Sequence, residues 1–327
     1  MNAIQSNTVR RRDVTTYLIT GGAGFIGSHL ADALLAQGHR VRVLDDFSTG
    51  RMENLDPRCE VLRGDAGDPA LLRVAMAGTA GCYHLAAIAS VARANEDWVG
   101  THAVNQSATV AVLEAARALG GLPVVYASSA AVYGTQEGVA REEAAPSPRT
   151  AYGADKFGSE LHARVGFLVH GVPTIGFRFF NVYGPRQDPA SPYSGVISIF
   201  ADAIRQGRPV TLHGDGSQSR DFVFVGDVVA HLVAGMAYLG VVQGAHVLNV
   251  CTGCETQVHE LASMIGEIGG RAPVMVPGPA RAGDIRRSVG SPERASDVLG
   301  VRAATGLRAG LEQTLAALTP SRALMRA

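Results

Sequence analysis

The sequence predicts an α/β fold: a doubly wound parallel sheet with a smaller, discontinuous α/β unit attached. Three observations carry this. An apolar, β-rich run at residues 14–20 passes directly into Gly21-Gly22-Ala23-Gly24-Phe25-Ile26-Gly27 and then into an apolar helical stretch closed by Gly38. A second strand pattern, RVRVL at residues 40–44, ends on Asp45. Strand and helix patterns then keep alternating to about residue 180.

Taken in order, strands are expected at 60–63 and 81–85, and an Ala-rich helix at 101–119. A strand at 122–127, a helix at 152–170 and a strand at 174–179 follow. Beyond 180, Gly184-Pro185, Asp188-Pro189 and Ser191-Pro192 mark loops. A helix at 197–206 and strands at 209–213, 222–225 and 246–250 come next, and then helix, strand, loop and helix from 256 onward. The expected division is a disordered tail at 1–12, a cofactor unit at 13–180 rejoined by about 221–251, and a substrate unit at 181–220 and 252–318. No internal repeat or low-complexity segment is present.

Composition excludes several function classes. The 327 residues hold 29 Lys+Arg and 29 Asp+Glu, so no basic face for nucleic acid is indicated. No run of eighteen apolar residues exists, so no membrane span is expected. Arg10-Arg11-Arg12 is followed by a strand pattern and not by an export signal, which gives a cytoplasmic expectation. Cys251 and Cys254 form C-x-x-C, but no second ligand pair accompanies them. They are expected as small residues of a strand-to-helix turn, with no metal.

The glycine loop is the first chemical signal. A turn between strand and helix that must approach a pyrophosphate needs bare backbone, and in this G-x-x-G-x-x-G run a side chain at Gly21 or Gly24 would block the approach. The helix beyond it offers free N–H groups and the positive end of its dipole. This is a Rossmann-type dinucleotide site. Asp45, at the end of the second strand, suits the adenosine ribose hydroxyls and repels a 2′-phosphate, which favours NAD over NADP. Asp65 ends the third strand and suits either the adenine edge or a helix N-cap.

Lys156 is the second signal. It is the only lysine beside 28 arginines. Arginine serves most surface roles of lysine, but it does not replace a compact ammonium held against a hydroxyl and a ribose. Tyr152-Gly153-Ala154-Asp155-Lys156 places phenol and ammonium on one helix face. A phenol is a poor base at neutral pH, and a nearby cation favours its ionised form. Ser129 closes the fifth strand and suits a hydrogen bond to the reacting hydroxyl, although a Ser-Ser turn is on composition more often structural.

Together these residues resemble the extended short-chain dehydrogenase/reductase family, and within it the UDP-glucose 4-epimerases. The likeness runs from about residue 14 to 315. It rests on TGGAGFIGSHL at 20–30, HLAA at 84–87, SSAAVYG at 128–134, YGADK at 152–156, RFFNVYGPRQDP at 178–189, SRDFVFVGDV at 219–228 and RAGDIRRS at 281–288. The resemblance implies Ser129, Tyr152 and Lys156 as the catalytic triad. It implies NAD held by Gly21, Gly24, Phe25, Ile26, Gly27, Asp45, Asp46, Asp65, Ala66, Leu85, Ala86, Ala87 and Phe179, with Tyr152 and Lys156 at its reactive end. For the sugar nucleotide it implies Ser90, Ser129, Asn181 on the sugar-linked phosphate, and Val196. Arg220 and Arg281 are the implied diphosphate clamp, Asp284 the uridine ribose ligand, and Ser288 the gate beside the sugar's 2-position.

Departures narrow the reading. Dehydratases and decarboxylating members carry an acidic residue just after the catalytic serine or threonine, where this chain has Ala130 and Ala131. Many members carry tyrosine where Phe179 stands. A serine at 288 leaves room for an N-acetyl group where a tyrosine would not. The implied activity is UDP-hexose 4-epimerisation, with glucose and galactose as the pair and the N-acetylated pair also admitted. A uronate or deoxythymidine-linked 4-epimerase and a 4-keto-sugar reductase stay open. A homodimer pairing the helices at 101–119 and 152–170 is expected.

Overall fold

The computed structural model describes residues 14–188, 195–279 and 285–318. The expected tail at 1–12 and the segments holding Arg281 and Asp284 lie outside them.

β1 (Thr16–Thr20) runs through the glycine turn into α1 (Phe25–Ala36), and β2 (Arg40–Asp45) follows. β3 (Glu60–Arg63), α2 (Pro69–Met76) and β4 (Cys82–His84) continue the alternation. Next come α3 (Val91–Glu96), α4 (Trp98–His102) and, after a π-turn at Ala103–Ser107, α5 (Ala108–Ala118). β5 (Val124–Ser129), α6 (Ala151–His170), β6 (Thr174–Phe179) and β7 (Asn181–Tyr183) lead out of this half. The remainder is α7 (Val196–Gln206), β8 (Val210–His213), β9 (Ser219–Arg220), β10 (Phe222–Phe224), α8 (Val225–Leu239), β11 (Ala245–Val250), β12 (Thr256–Gln257), α9 (Val258–Ile268), β13 (Met275–Gly278), β14 (Arg287–Ser288), α10 (Glu293–Leu299) and α11 (Leu307–Leu318).

Seven of the described strands form one sheet in the order β11-β6-β5-β4-β1-β2-β3. Every neighbouring pair is parallel. The doubly wound sheet read from the sequence is therefore present. Its strand order reverses between β1 and β4, and ligands of such sheets bind at the carboxyl ends beside that reversal. Both faces are covered, so the strands are apolar on both sides. On one face Leu30 and Leu34 of α1 and Val228 and Leu232 of α8 pack on Ile19, Val43 and Phe177. On the other, Leu72, Val112, Ala116 and Ala163 of α2, α5 and α6 pack on Leu18, Leu44, Val124 and Tyr126. Each of the buried Val, Leu, Ile and Phe side chains contributes about 1.5–3 kcal/mol.

A third core joins Phe200 and Ile204 of α7, Leu261 and Ile265 of α9, Leu311 of α11, and Tyr183, Phe222 and Phe224. Small sheets edge it: β10 with β7, β12-β9-β14, and β13 with β8. Of the two late strands expected beside the cofactor unit, β11 joins the large sheet, whereas β10 pairs with β7. The helix expected at 101–119 is present and continuous, and it carries a π-turn at Ala103–Ser107 between α4 and α5. No helix among the described residues is long and apolar enough to cross a membrane.

Candidate active site

The glycine turn shows why a side chain is excluded there. Gly21 has φ +70°, and a Cβ on it would lie 2.7 Å from the Ala86 nitrogen and 2.8 Å from the Ala86 Cα. A Cβ on Gly27 would meet the Gly21 carbonyl oxygen and, at 2.7 Å, the Gly22 Cα. Gly24 is the N-cap of α1 and has no side chain to satisfy the first N–H groups of the helix. These donors face a cleft of about 1170 Å³ at the carboxyl ends of the sheet. A bare-backbone cradle on a helix N-terminus, with a cleft of this size, fits a dinucleotide.

Asp45 stitches that cradle to the sheet. It is buried, and its two oxygens accept from the Ala23 and Phe47 amides, both at 2.9 Å. Burial pushes its carboxyl above the usual range, against those two hydrogen bonds. Phe47 is held at φ +61°. Asp46 accepts from the Ser48 amide and hydroxyl at 2.8 and 2.7 Å. Asp65 accepts from the Gly67 amide at 2.7 Å, and the N-cap of α2 is Asp68. Of the two uses open for Asp65, the helix cap therefore falls to its neighbour. Asp45, Asp46, Asp65 and Ala66 all line the cleft, as do Phe25, Ile26, Leu85, Ala86 and Ala87.

Ser129, Tyr152, Lys156 and Phe179 line the same cleft. α6 starts at Thr150, whose side chain accepts from the Gly153 amide at 3.0 Å. A Cβ on Gly153 would stand 2.7 Å from the Ala131 carbonyl oxygen, so the first turn of α6 rests directly on the turn after β5. That close approach brings the Tyr152 hydroxyl into a hydrogen bond with Ser129. The Lys156 Nζ donates to the Ala127 carbonyl at 3.0 Å and lies 5.8 Å from the centre of the Tyr152 ring.

Burial acts on the pair in opposite senses. It raises the Tyr152 phenol, which the hydrogen bond to Ser129 partly offsets. It lowers the Lys156 ammonium to about 8, with Asp155 pulling the other way. In this protein alone, the lysine's charge is therefore costly. The folded state binds fewer protons than the unfolded chain between about pH 8 and the free lysine value near ~10.4, so stability rises with pH across that window. Below pH 8 the full cost is present. Lys156→Met should stabilise the NAD-stripped protein at pH 7 by about 2 kcal/mol, from ~3 for the cation less ~1 for the bond to Ala127. Urea unfolding at pH 7 and pH 10 checks this: the gain should shrink at the higher pH, and an unchanged gain contradicts the account.

The remaining expected residues separate into three sets. Ser90, Asn181 and Val196 line the main cleft. Ser90 caps α3 by accepting from the Arg93 amide at 3.1 Å, and Asn181 is fixed by two hydrogen bonds to the Asp221 carbonyl, at 3.0 Å from its amide nitrogen and 3.2 Å from Nδ2. Arg220 and Ser288 face each other across β9 and β14 and are not among the cleft's lining. Ser288 instead borders a small hollow with Ala130, Tyr133 and Phe180, directly behind the turn after Ser129. Arg281 and Asp284 lie outside the described residues. Cys251 is buried, Cys254 is exposed, and neither is in a disulfide. No group of three or more metal-ligating side chains occurs among the described residues.

Several residues that organise the site escaped the sequence reading. Asn105 lies in the π-turn, buried, and both accepts from the Ile88 amide at 2.8 Å and donates to the Ile88 carbonyl at 3.2 Å. The turn thus pins the 85–90 segment that walls the cleft, at the place where the helix widens to π geometry. Asp221, fully buried, accepts from the Thr252 amide and hydroxyl and from the Gly253 amide while its own backbone carbonyl holds Asn181. Arg51 pairs with Asp188 across the cleft mouth, and both line it. In the sequence Arg51 stands near Asp45, where an arginine weighs against the preference for NAD over NADP, and nothing there pairs it with Asp188.

The chain is similar to known proteins along most of its length. The model of the NAD dependent epimerase/dehydratase family matches residues 17–251. The UDP-glucose 4-epimerase of Mycolicibacterium smegmatis is 39% identical over 306 residues, which cover 91% of this chain and 96% of that protein. The crystal structure of the Thermus thermophilus UDP-glucose 4-epimerase with NAD is similar at TM-score 0.86 and 36% identity, covering 94% of this chain and 99% of that one. The UDP-N-acetylglucosamine 4-epimerase of Methanobrevibacter ruminantium is similar at TM-score 0.88 and 29% identity, covering 94% and 99%.

Proposed function

The chain belongs to the NAD dependent epimerase/dehydratase family, and on that premise we propose that it is a UDP-hexose 4-epimerase interconverting UDP-glucose and UDP-galactose. The observation that carries the reading is a Ser129–Tyr152–Lys156 cluster followed by Ala130 and Ala131. Loss of water or of carbon dioxide from a keto sugar calls for an acid beside the serine. Reversible oxidation at C4 needs only a base that can return its proton.

In this mechanism Tyr152, as phenolate, takes the proton of the sugar's 4-hydroxyl, and Ser129 orients that hydroxyl. Bound NAD supplies the reversible hydride acceptor at C4. The C4–O bond becomes a carbonyl as the O–H proton passes to Tyr152. Tyr152 then returns the same proton once the keto sugar has turned its other face. Lys156 holds the nicotinamide ribose and, as a cation, favours the phenolate. Gly21, Gly24, Gly27 and the start of α1 carry the pyrophosphate, Asp45 the adenosine ribose, and Phe179 stands beside the nicotinamide.

The second layer of the molecule, around residues 181–220 and 252–318, takes the nucleotide. Asn181 meets the sugar-linked phosphate. The family resemblance assigns the diphosphate, a task that suits a planar fork of donors, to Arg281 and to Arg220, which stands outside the lining of the main cleft and would have to reach in from β9. Asp284 takes the uridine ribose. With binding concentrated on the nucleotide, the sugar stays free to turn. A serine at 288, where the family resemblance puts the gate beside the sugar's 2-position, supports acceptance of a 2-N-acetyl group. Exposed Leu161, Val165 and Leu168 on α6, with Val110 on α5, support a homodimer across the helices at 101–119 and 152–170.

The test is to incubate the protein, with and without added NAD, with UDP-glucose, UDP-N-acetylglucosamine, UDP-glucuronate and a deoxythymidine-linked deoxysugar, and to read the C4 configuration by proton NMR. Inversion of UDP-glucose is expected, with inversion of the N-acetyl sugar at a comparable rate. Inversion of only the uronate or the deoxysugar would overturn the substrate. Net consumption of NAD(P)H with a 4-keto sugar would overturn the reaction class in favour of a reductase.

A further inference from the structure

A buried ion pair lies directly behind the catalytic cluster and takes no part in the mechanism above. Glu160 of α6 and Arg178 of β6 are each 5% exposed. They meet in a bidentate arrangement, Nε to Oε1 at 2.9 Å and Nη2 to Oε2 at 2.7 Å. The Ser128 hydroxyl donates to the same Glu160 Oε1 at 2.5 Å. The Arg178 guanidinium also lies over the Tyr133 ring, 4.6 Å from its centre, and the Tyr133 hydroxyl donates to Asn249 at 2.7 Å.

The three partners stand one step from three residues of the site. Ser128 precedes Ser129, Arg178 precedes Phe179, and Glu160 follows Lys156 by one helical turn, on the face that also carries Tyr152. Ser128 and Arg178 are direct cross-strand partners on β5 and β6. One carboxylate therefore ties α6 to the ends of both strands. A two-point guanidinium–carboxylate fork resists both sliding and rotation, which a single contact does not. A buried pair adds little stability over apolar side chains of the same volume. Its value here lies in fixing geometry, because small misplacements of a base cost far more in rate than in binding.

We propose that Glu160 and Arg178 are positioning residues that hold the Tyr152–Lys156 face of α6 in register with Ser129 and Phe179. The proposal rests on the epimerase reading for its kinetic test, but its second readout needs no sugar. Glu160→Leu combined with Arg178→Met removes the fork while leaving no lone buried charge. In the NAD-loaded protein this double variant should stay folded, bind NAD as before, and lose roughly 10–100-fold in kcat for UDP-glucose with KM within about threefold. The Tyr152 phenol, followed by ultraviolet difference titration against the same variant carrying Tyr152→Phe, should ionise at higher pH than in the parent, since Ser129, which lowers its pKa, would no longer be held beside it. A folded variant with the parent's kcat and the parent's Tyr152 midpoint overturns the proposal.

Should the double variant fail to fold, Ser128→Ala leaves the ion pair intact and cuts only its tie to β5. It should lower kcat roughly three- to tenfold with KM unchanged, and a parental kcat in that variant overturns the proposal as well. If the parent protein epimerises no UDP-hexose yet the double variant still shifts the Tyr152 midpoint, the functional reading falls and the positioning role stands.

Discussion

Tyr152→Phe should lower epimerase turnover by roughly 10³-fold or more while leaving NAD bound. The substitution removes one oxygen from a residue whose ring is held by the seating of α6 on the turn after β5, where Gly153 approaches the Ala131 carbonyl. That seating does not depend on the hydroxyl, so the fold and the cleft should persist. What is lost is the only phenol hydrogen-bonded to Ser129 and facing Lys156 among the residues lining the cleft's reactive end. Co-purified NAD, released by heat and quantified by chromatography, should match the parent protein. Appreciable residual turnover would show that another group handles the proton.

Gly21→Ala should cost roughly 100-fold or more in NAD affinity, measured by calorimetry on stripped protein. Two penalties combine at this position. The backbone is left-handed at φ +70°, and the added methyl would press on the backbone of Leu85 and Ala86, which cannot rotate out of the way. Either the turn opens or the 85–86 segment retreats, and both line the cleft. Gly38→Ala is the matched control. It also has a positive φ, +86°, but nothing lies within 4 Å of its Cβ. It should cost stability alone and leave NAD affinity unchanged. Equal losses of affinity in the two variants would remove the cradle argument.

The parts of this site that were legible in the sequence are those encoded by short spacing. The strand–turn–helix around Gly21 and the Tyr152–Lys156 pair are local, so the residues alone announce a cleft and a base. The physical role of Gly27 was only half legible. The spacing marks it as the third glycine of the turn, and the structure adds that the nearest obstacle to a side chain is the loop's own Gly21 carbonyl. Asp45 likewise reads as a ribose ligand, and the structure adds that it fastens the turn through Ala23.

What stayed hidden depends on elements distant in sequence meeting in space. Nothing in the spacing of Ser128, Glu160 and Arg178 indicates that a helix and two strands share one carboxylate. Asn105 sits in a run that reads as an ordinary Ala-rich helix, and nothing in that run signals the π-turn or the bonds to Ile88. The strand expected at 222–225 was attributed to the cofactor unit because apolar runs do not name their partner, and it pairs with β7.

The central claim is reversible oxidation at C4 within one closed cycle, and UDP-glucose carrying deuterium at C4 tests it most directly. With the NAD-loaded protein, UDP-galactose should form with the deuterium retained at C4, at a rate lowered by the heavier isotope, and with no net reduced cofactor in solution. Deuterium lost to solvent, or product formed with stoichiometric consumption of cofactor, would contradict it.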